Sequence, residues 1–366
     1  MQPEQILAFR LARSGLAVRD AHELAGAAAC PASDFSRDAA LLALAARLEG
    51  LTRQRYDDAI DGGDLVVAHV VRGAIHALAP QDLALYGRAL ISNDDDELGQ
   101  QLGQQVQRLA VDKGFAPTDA LAEVAEATRD ALAGGRALSK NELHDELRQR
   151  VGADLMPWCK GCKSHHVAPM LWRYGSVKAA ARLDSERRYV LGQPGRAPAA
   201  KEAVRRFLHF YGPATSGDFA EWAGTARSHA ERLWAQWTAV EGALAEVSVG
   251  ARRAWILSDD VAILAAPPTA AGIRLIPPGD PYLQKPNRSL LAPEPALRKQ
   301  LFRPVASPGA VLKDGHLAGL WRVKAKGRKA EITVQRLGRL ARRDLEEEAQ
   351  RITELRGASD TILNVD

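Results

Sequence analysis

The sequence predicts an α+β protein made of tandem winged-helix modules, each a helix–turn–helix followed by a β-hairpin, with a β-rich C-terminal segment. The order helix, turn, helix and hairpin occurs three times before residue 265. After that residue the chain is rich in proline and then alternates apolar and polar residues. At 366 residues it is too long for one core of ordinary size, so about two to four domains are expected. The predicted modules are residues 1–95, 96–200 and 201–265, and the C-terminal segment is residues 266–366.

Composition indicates a soluble globular protein, with 46% hydrophobic and 26% charged residues. No apolar run reaches the roughly 18 residues that a membrane span needs. The N-terminus lacks the basic and apolar pattern of a secretion signal. Three cysteines do not make a disulfide framework, so we expect a reducing, cytoplasmic compartment. The net charge of +4 is too small to indicate a partner, so the distribution of charge matters more.

The third module carries the clearest helix–turn–helix pattern, at residues 215–237. Ser216 can cap a first helix, Gly224 makes the turn, and a second helix follows. Apolar residues of that second helix share one side, which leaves Arg227 and Arg232 free to point outward. Residues 244–257 then alternate around a glycine as a hairpin does. A winged helix can place its second helix in the major groove of DNA, so both arginines are candidate DNA contacts.

The other two modules repeat this order more loosely. In the second, a helix at 118–132 precedes another at 139–151, where Ser139 and Glu142 have the spacing of a capping box. Its predicted wing is residues 187–195. In the first, helices at 36–51 and 52–63 precede a β-rich stretch at 65–79. Helix–turn–helix units also serve in protein docking, so an α-rich scaffold that binds no nucleic acid is the alternative.

The C-terminal segment combines a proline-rich, loop-like stretch at 273–295 with three predicted strands at 311–340. Residues 322–343 hold nine basic side chains against the single acid Glu331. Such a run is either a solvated face or a basic hairpin that grips phosphates. In the second interpretation the side chains that position the protein on the DNA backbone are Lys324, Lys326, Arg328 and Lys329.

The stretch WCKGCKSHH at 158–166 holds two cysteines and two adjacent histidines. Cys159 and Cys162 make a good half-site for zinc, and the other ligands would come from His165, His166 or elsewhere in the chain. Adjacent histidines tend to point apart, so one of them plus a distant ligand is the more natural set. A reduced pair of ordinary cysteines and a redox pair are the alternatives. A zinc ion here would be a structural clip, because four filled ligand positions leave no place for a catalytic water. A zinc hydrolase would also need a general-base carboxylate beside the ligands, as in H-E-x-x-H, and this stretch has none.

Four blocks in order carry a family resemblance: residues 72–83, 210–224, 275–283 and 311–327. The chain resembles the AlkZ/YcaQ-type winged-helix DNA glycosylases of bacteria, and the match runs through nearly its whole length. The resemblance implies binding of double-stranded DNA in a positively charged channel. It implies hydrolysis of the N-glycosidic bond of bulky alkylated or crosslinked bases, with no cofactor required for catalysis. A monomer associated with the nucleoid is the corresponding expectation.

The catalytic motif of that family is Gln-apolar-Gln or Gln-apolar-Asp at the start of a helix in the first module. Here the matching positions hold Ser33, Asp34 and Phe35, and no glutamine is in reach. Asp34 is the main catalytic candidate and Ser33 the second, because a carboxylate can orient water and stabilise a cationic sugar. The alternative is that either residue only caps the helix. Asp38, one turn further on, is a weaker candidate.

Arg72 and His76 match the family's Arg-Gly-x-x-His block, which would place both beside the DNA channel. They are four residues apart in a stretch predicted as strand, so both would face one side. The alternative is a buried histidine and a structural ion pair, with Asp82 as a possible partner. Asp280, in an Asp-Pro-Tyr turn, is interpreted as scaffold. Loss of the glutamines also leaves open a non-catalytic DNA-binding protein that recognises lesions or regulates transcription.

Overall fold

The structure is a computed structural model that describes residues 1–19, 23–36, 38–193, 195–196 and 198–366. Arg37, in the predicted helix 36–51, and Pro194, in the predicted wing 187–195, lie outside the described residues. No helix in the described ranges is both long and apolar enough to cross a membrane. The α-helices are α1 (Pro3–Arg13), α2 (Leu24–Ala27), α3 (Ala39–Ala45), α4 (Arg53–Gly62), α5 (Leu83–Tyr86), α6 (Asp95–Leu102), α7 (Gln104–Lys113), α8 (Pro117–Leu132), α9 (Lys140–Arg150), α10 (Pro169–Ala179), α11 (Glu202–Tyr211), α12 (Ser216–Ala223), α13 (Arg227–Thr238), α14 (Val261–Ala265), α15 (Lys285–Leu291), α16 (Pro295–Leu301) and α17 (Arg342–Leu355).

Short strands alternate with these helices, which confirms the α+β class. They are β1 (Ala32–Ser33), β2 (Val66–His69), β3 (Ile75–Leu78), β4 (Trp158–Cys159), β5 (Ser164–His165), β6 (Ala181–Leu183), β7 (Tyr189–Leu191), β8 (Leu244–Val249), β9 (Arg252–Leu257), β10 (Ile273–Ile276), β11 (Gly309–Lys313), β12 (His316–Lys326), β13 (Lys329–Arg336) and β14 (Asp360–Val365).

The chain divides into two compact units, each assembled from separate stretches of sequence. Unit 1 contains Met1–Ala59, Arg206–Thr215 and Val240–Asp366. Unit 2 contains Ile60–Arg205 and Ser216–Ala239. The division into three modules and a C-terminal segment, predicted from the sequence, remains a prediction.

Unit 1 holds a five-stranded sheet in the order β10-β11-β12-β13-β14. Its strands are antiparallel except β13 and β14, which run parallel. Strands β11, β12 and β13 confirm the three strands predicted for this segment. Trp321 is buried in the sheet, and its Nε1 donates to the carbonyl of Ile276 at 2.8 Å. The prediction of loop for all of 273–295 was wrong, because Ile273–Ile276 pairs with β11 as the edge strand β10.

A buried arginine connects the N-terminal helix of unit 1 to two later segments. Arg10 on α1 is 5% exposed. Its guanidinium donates to the carbonyls of Gly212 and Pro213 at 3.1 and 2.8 Å, and to Oδ1 of Asn287 at 2.9 Å. Satisfying a buried guanidinium with several acceptors is what makes its burial tolerable. Residues far apart in sequence are thereby held in one core.

Unit 2 contains the two predicted helix pairs α8–α9 and α12–α13. The capping box at the start of α9 is confirmed, because the Glu142 amide donates to Ser139 Oγ at 3.3 Å and Glu142 Oε2 accepts from the Ser139 amide at 2.8 Å. Gly224 makes the turn between α12 and α13 with a φ of 67°. Four strands of this unit lie in the order β3-β2-β6-β7, and β4 pairs separately with β5; all of these pairings are antiparallel.

The backbone conformation at Arg72 differs from the strand predicted there. It lies in the 3-10 turn Val71–Gly73 between β2 and β3, with a left-handed φ of 59°. His76 lies in β3, where it pairs with Ala68. The expected strand that would carry both side chains on one face is therefore wrong, because the chain reverses direction between them.

Candidate functional site

The segment that replaces the expected catalytic motif lies at the end of β1 and before α3. Asp34 is 1% exposed, and its Oδ1 accepts the backbone N–H of Ala40 at 3.3 Å. This bond satisfies one of the amides that a helix N-terminus leaves without an intrahelical partner. Ser33 is partly exposed and Phe35 is exposed. The Asp34 side chain therefore caps α3 from outside the helix, because the residue at the N-cap position, Asp38, makes no capping bond with its own side chain. Of its two neighbours, Ser33 is partly and Phe35 fully open to solvent.

A buried ion pair supports the turn that packs against this segment. Arg47 donates to Asp280 through two parallel bonds of 2.8 and 2.9 Å. It also donates to the carbonyls of Ser14 and Ala43, both at 2.6 Å. Asp280 in turn accepts the amide of Tyr282 at 2.8 Å. A paired, fully hydrogen-bonded buried charge is stable, whereas the same charge alone is costly.

Close packing brings this turn against the candidate catalytic segment. A Cβ built on Gly279 would lie 2.9 Å from the ring of Phe35 and 3.5 Å from Cβ of Ser33. The φ of Gly279 is +83°, which side chains rarely adopt. Cys30 is fully buried beside the same turn, its sulfur 3.6 Å from the Tyr211 hydroxyl, and burial raises the pKa of the thiol to about 12. Cys30 is therefore a neutral packing residue.

Asp38 is engaged in ion pairs. Its carboxylate accepts from Arg53 and lies 2.8 Å from Nη1 of Arg356. These pairs connect the N-terminus of α3 with α4 and with the end of α17. Two arginines therefore engage both oxygens of the Asp38 carboxylate.

Arg72 and His76 both make structural contacts in unit 2. Nη1 of Arg72 donates to the carbonyl of Trp222 at 2.6 Å, and its side chain lies against Gly224, at the turn between α12 and α13. His76 is 3% exposed, and burial lowers the pKa of its ring to about 4. Its Nδ1 donates to the carbonyl of Ala74 at 3.0 Å. A neutral, buried imidazole fits the structural interpretation better than a phosphate contact.

The two arginines of α13 have different surroundings. Arg227 is exposed and pairs, at 3.0 Å, with Glu231 of its own helix. Arg232 forms a two-point ion pair with Glu97 of α6, whose carboxylate also accepts from Ser228 at 2.5 Å. The Arg232 hydrogen bonds hold the pKa of Glu97 far below its usual range. Arg232 therefore has a protein partner that DNA would have to share or displace.

The basic hairpin is exposed as predicted. Lys324, Lys326, Arg328 and Lys329 are all exposed at the β12–β13 turn. The nearest acids pair weakly, with Lys326 at 3.9 Å from Glu331 and Lys329 at 4.0 Å from Asp360. Ion pairs this long and exposed cost little to break. The hairpin therefore presents a positive surface that a phosphate backbone could use.

The thiol–histidine cluster consists of Cys159, Cys162 and His166 in unit 2. One ligand atom from each lies within 4.8 Å of the other two. His165 is outside this group, because its Nδ1 donates to the carbonyl of Met156 at 2.9 Å and its ring packs on Trp158. Of the four predicted metal ligands, the structure thus brings three together.

Two buried carboxylate contacts were missed by sequence reasoning. Asp280 was visible as part of an Asp-Pro-Tyr turn, but its partner Arg47 is 233 residues away. Glu97 was not among the candidate residues, and its partner Arg232 is 135 residues away. No local spacing signals either pair.

The chain is similar to known proteins in sequence and in fold. A family model described as DNA glycosylase AlkZ-like matches residues 31–355. The chain is 32% identical over 128 residues to a Streptomyces sahachiroi protein named interstrand DNA cross-link repair glycosylase, and that alignment spans 34% of each chain. It is also similar in fold to the solved structure of Streptomyces sahachiroi DNA glycosylase AlkZ, with a TM-score of 0.75 at 21% identity over 100% of both chains. The chain belongs to the AlkZ-like DNA glycosylase family.

Proposed function

We propose that this protein is a DNA glycosylase that hydrolyses the N-glycosidic bond of bulky alkylated or crosslinked bases in double-stranded DNA. The observation that carries the proposal is the family match over residues 31–355. The name of the curated relative, an interstrand cross-link repair glycosylase, supports the substrate class. Such a role would place the protein, as a monomer, with the bacterial nucleoid.

Hydrolysis of the N-glycosidic bond of an alkylated purine requires little catalytic assistance at the base and more at the sugar. Alkylation at N7 or N3 makes the purine cationic, so it leaves as a neutral base when the glycosidic bond breaks. The sugar becomes an oxocarbenium-like cation, and water must then attack C1′ and lose a proton. A carboxylate near the sugar stabilises the cation and can accept that proton. No step requires a metal or cofactor.

Asp34 is our candidate for that carboxylate. Its bond to the Ala40 amide occupies Oδ1 and holds the side chain at the start of α3. The adjacent Ser33 and Phe35 are accessible. Ser33 could hydrogen-bond the water or the sugar beside it. Asp34 is buried in this state, so the proposal requires that DNA binding give the carboxylate access to C1′.

Contacts to DNA would come from the basic hairpin and from α13. The four basic residues at the hairpin tip are exposed, and the ion pairs of Lys326 and Lys329 are long, so phosphates can compete for these side chains. Arg227 is the most available side chain of α13. Three further candidates are already bonded within unit 2, so we expect them to support the DNA-binding surface and not to contact phosphates directly. They are Arg232, Arg72 and His76.

The test is base release from duplex DNA that carries N7-alkylguanine or a bulky mustard adduct, scored as alkali-labile abasic sites. An asparagine in place of Asp34 would still offer an oxygen to the Ala40 amide, so Asp34→Asn removes the charge and keeps the cap. We expect about a 100- to 1,000-fold slower release in Asp34→Asn, with an unchanged melting temperature. Asp38→Asn is the matched control and should keep the wild-type rate per folded molecule.

A second candidate function is a non-catalytic DNA-binding protein that recognises lesions or regulates transcription. The observation that favours it is the use of Asp34 as a helix cap in a chain without the family's glutamines. Tight binding to adduct DNA with no base release would establish this second function and rule out the first. Release that persists in Asp34→Asn would keep the glycosylase and reject Asp34 as its carboxylate.

A further inference from the structure

We propose that Cys159, Cys162, His166 and His144 bind one zinc ion that fastens the β4–β5 hairpin to helix α9. This proposal does not rest on the proposed function, because hydrolysis of the N-glycosidic bond needs no metal. All four residues lie in unit 2. The cysteines and His166 come from one nine-residue stretch, and His144 comes from the middle of α9.

The hairpin holds three ligand atoms close to the geometry that zinc requires. Trp158 pairs with His165 and Cys159 with Ser164, so the chain turns back between the two strands, where Cys162 lies. Both sulfurs and one ring nitrogen of His166 lie within 4.8 Å of one another. Tetrahedral zinc with Zn–S bonds of about 2.3 Å places its two sulfurs about 3.8 Å apart. Small side-chain movements are enough to close the site.

The orientation of His166 suits a metal ligand. Its Nδ1 lies 2.9 Å from the carbonyl of Val167, which can only accept, so Nδ1 carries the proton. The other ring nitrogen, Nε2, is then unprotonated and offers its lone pair to a metal. Metal-bound histidines commonly donate their second nitrogen to a backbone carbonyl in this way. The bond therefore selects the tautomer that coordinates metal.

His144 has the position of a fourth ligand. Its ring centroid is 5.6 Å from that of His166. Two imidazoles on one tetrahedral zinc, with Zn–N bonds of about 2.0 Å, have centroids about 5 Å apart. Nδ1 of His144 is buried and has no hydrogen-bond partner among the described residues. The ring of His144 is not within reach of all three other ligand atoms, so its side chain must move to complete the site.

His165 is the natural negative control, although it neighbours a ligand. His165 is the last residue of β5 and His166 follows it, and adjacent residues of an extended chain point to opposite sides, so the two histidines cannot easily bind the same ion. His165 is exposed, donates to the carbonyl of Met156 and packs on the ring of Trp158 with centroids 5.2 Å apart. A His165→Asn variant therefore removes a histidine of the same stretch without removing a proposed ligand.

Two thiolates and two imidazoles in a tetrahedron favour zinc over magnesium or calcium, which prefer oxygen. Binding releases two protons, one from each thiol, and changes no oxidation state. With all four positions filled the ion has no place for a reactive water, so its role is structural. It would tie the hairpin to α9, where His144 packs on Trp172 with ring centroids 4.5 Å apart.

The experiment measures zinc in the full-length protein, purified without chelator, by mass spectrometry. We expect about one zinc per chain in wild type and in His165→Asn, and none in the Cys159→Ser/Cys162→Ser double variant. His166→Asn and His144→Asn should each weaken zinc binding by more than about tenfold in a chelator competition. Because the double variant could misfold, chelator-stripped wild type is also titrated with Co²⁺, which should give a thiolate charge-transfer band and tetrahedral d–d absorption.

Wild-type protein with no zinc and no cobalt–thiolate band would overturn the site and leave an ordinary or redox-active cysteine pair. Wild-type affinity in His144→Asn would overturn the assignment of the fourth ligand. Loss of zinc in His165→Asn together with full binding in His166→Asn would overturn the choice between the two histidines.

Discussion

The ion pair between Arg47 and Asp280 supports the turn that packs against the candidate catalytic segment. Both side chains are almost fully buried, 2% and 0% exposed, and four hydrogen bonds from Arg47 are satisfied inside unit 1. The pair orients the turn that packs on Ser33 and Phe35. Its removal would affect both stability and the position of Asp34.

Replacing Asp280 with asparagine should therefore be severely destabilising. The substitution leaves the Arg47 guanidinium buried without a negative partner, so we expect the free energy of unfolding to fall by about 3–5 kcal/mol. Urea denaturation followed by circular dichroism measures this. Asp112→Asn, on the exposed face of α7, is the control and should stay within about 0.5 kcal/mol of wild type. A decrease as small as the control's would show that the pair is not needed.

Between elements, the carboxylate of Glu97 connects α6 with α13. Glu97 accepts from Arg232, Ser228 and Ser92, and these bonds lower its pKa far below the ordinary value of 4.5. A lowered pKa in the folded state means that the stabilisation is complete above about pH 4.5. It is lost as the pH falls further, because the unfolded chain binds the proton first. This carboxylate thus makes the helix pair acid-sensitive.

Glu97→Gln should lower the melting temperature at pH 7, and the gap from wild type should narrow steadily as the pH falls below about 4.5. Glutamine cannot titrate, so it removes the charge and the pH dependence together. Thermal unfolding at several pH values between about 7 and 3.5 would measure the gap. The exposed Glu126→Gln on α8 should show a small gap at every pH. A gap for Glu97→Gln that does not change with pH would contradict the assignment.

At the scale of the whole molecule, a net charge of only +4 cannot attract DNA strongly. Affinity must then come from local positive surfaces, and the β12–β13 hairpin is the most concentrated of those predicted. Each phosphate contact releases condensed counterions, so the slope of log affinity against log salt counts the contacts. The four exposed basic residues of the hairpin tip can be removed together to measure their share.

The variant carries alanine at Lys324, Lys326, Arg328 and Lys329, which reduces the net charge from +4 to zero. We expect the salt slope of duplex binding to become shallower by about 3–4, at roughly 0.9 for each phosphate that the protein no longer neutralises. The control carries alanine at four arginines that have the same total charge and lie in the same basic run, Arg336, Arg339, Arg342 and Arg343. Equal slopes in the two variants would mean that net charge, and not the hairpin tip, governs binding.

The sequence by itself determined the fold class, the helix pairs, the hairpins at 244–257 and 311–340, the basic surface and the family resemblance. Each of these depends on local periodicity, capping or turn residues, or on blocks read in order. Tertiary structure alone decided what meets across the chain: Arg47 with Asp280, Glu97 with Arg232, and His144 beside His166. It also showed Arg72 in a turn and Asp34 as a cap. These outcomes depend on contacts between residues far apart in sequence or on a local backbone reversal, and neither leaves a pattern in the spacing of residue types.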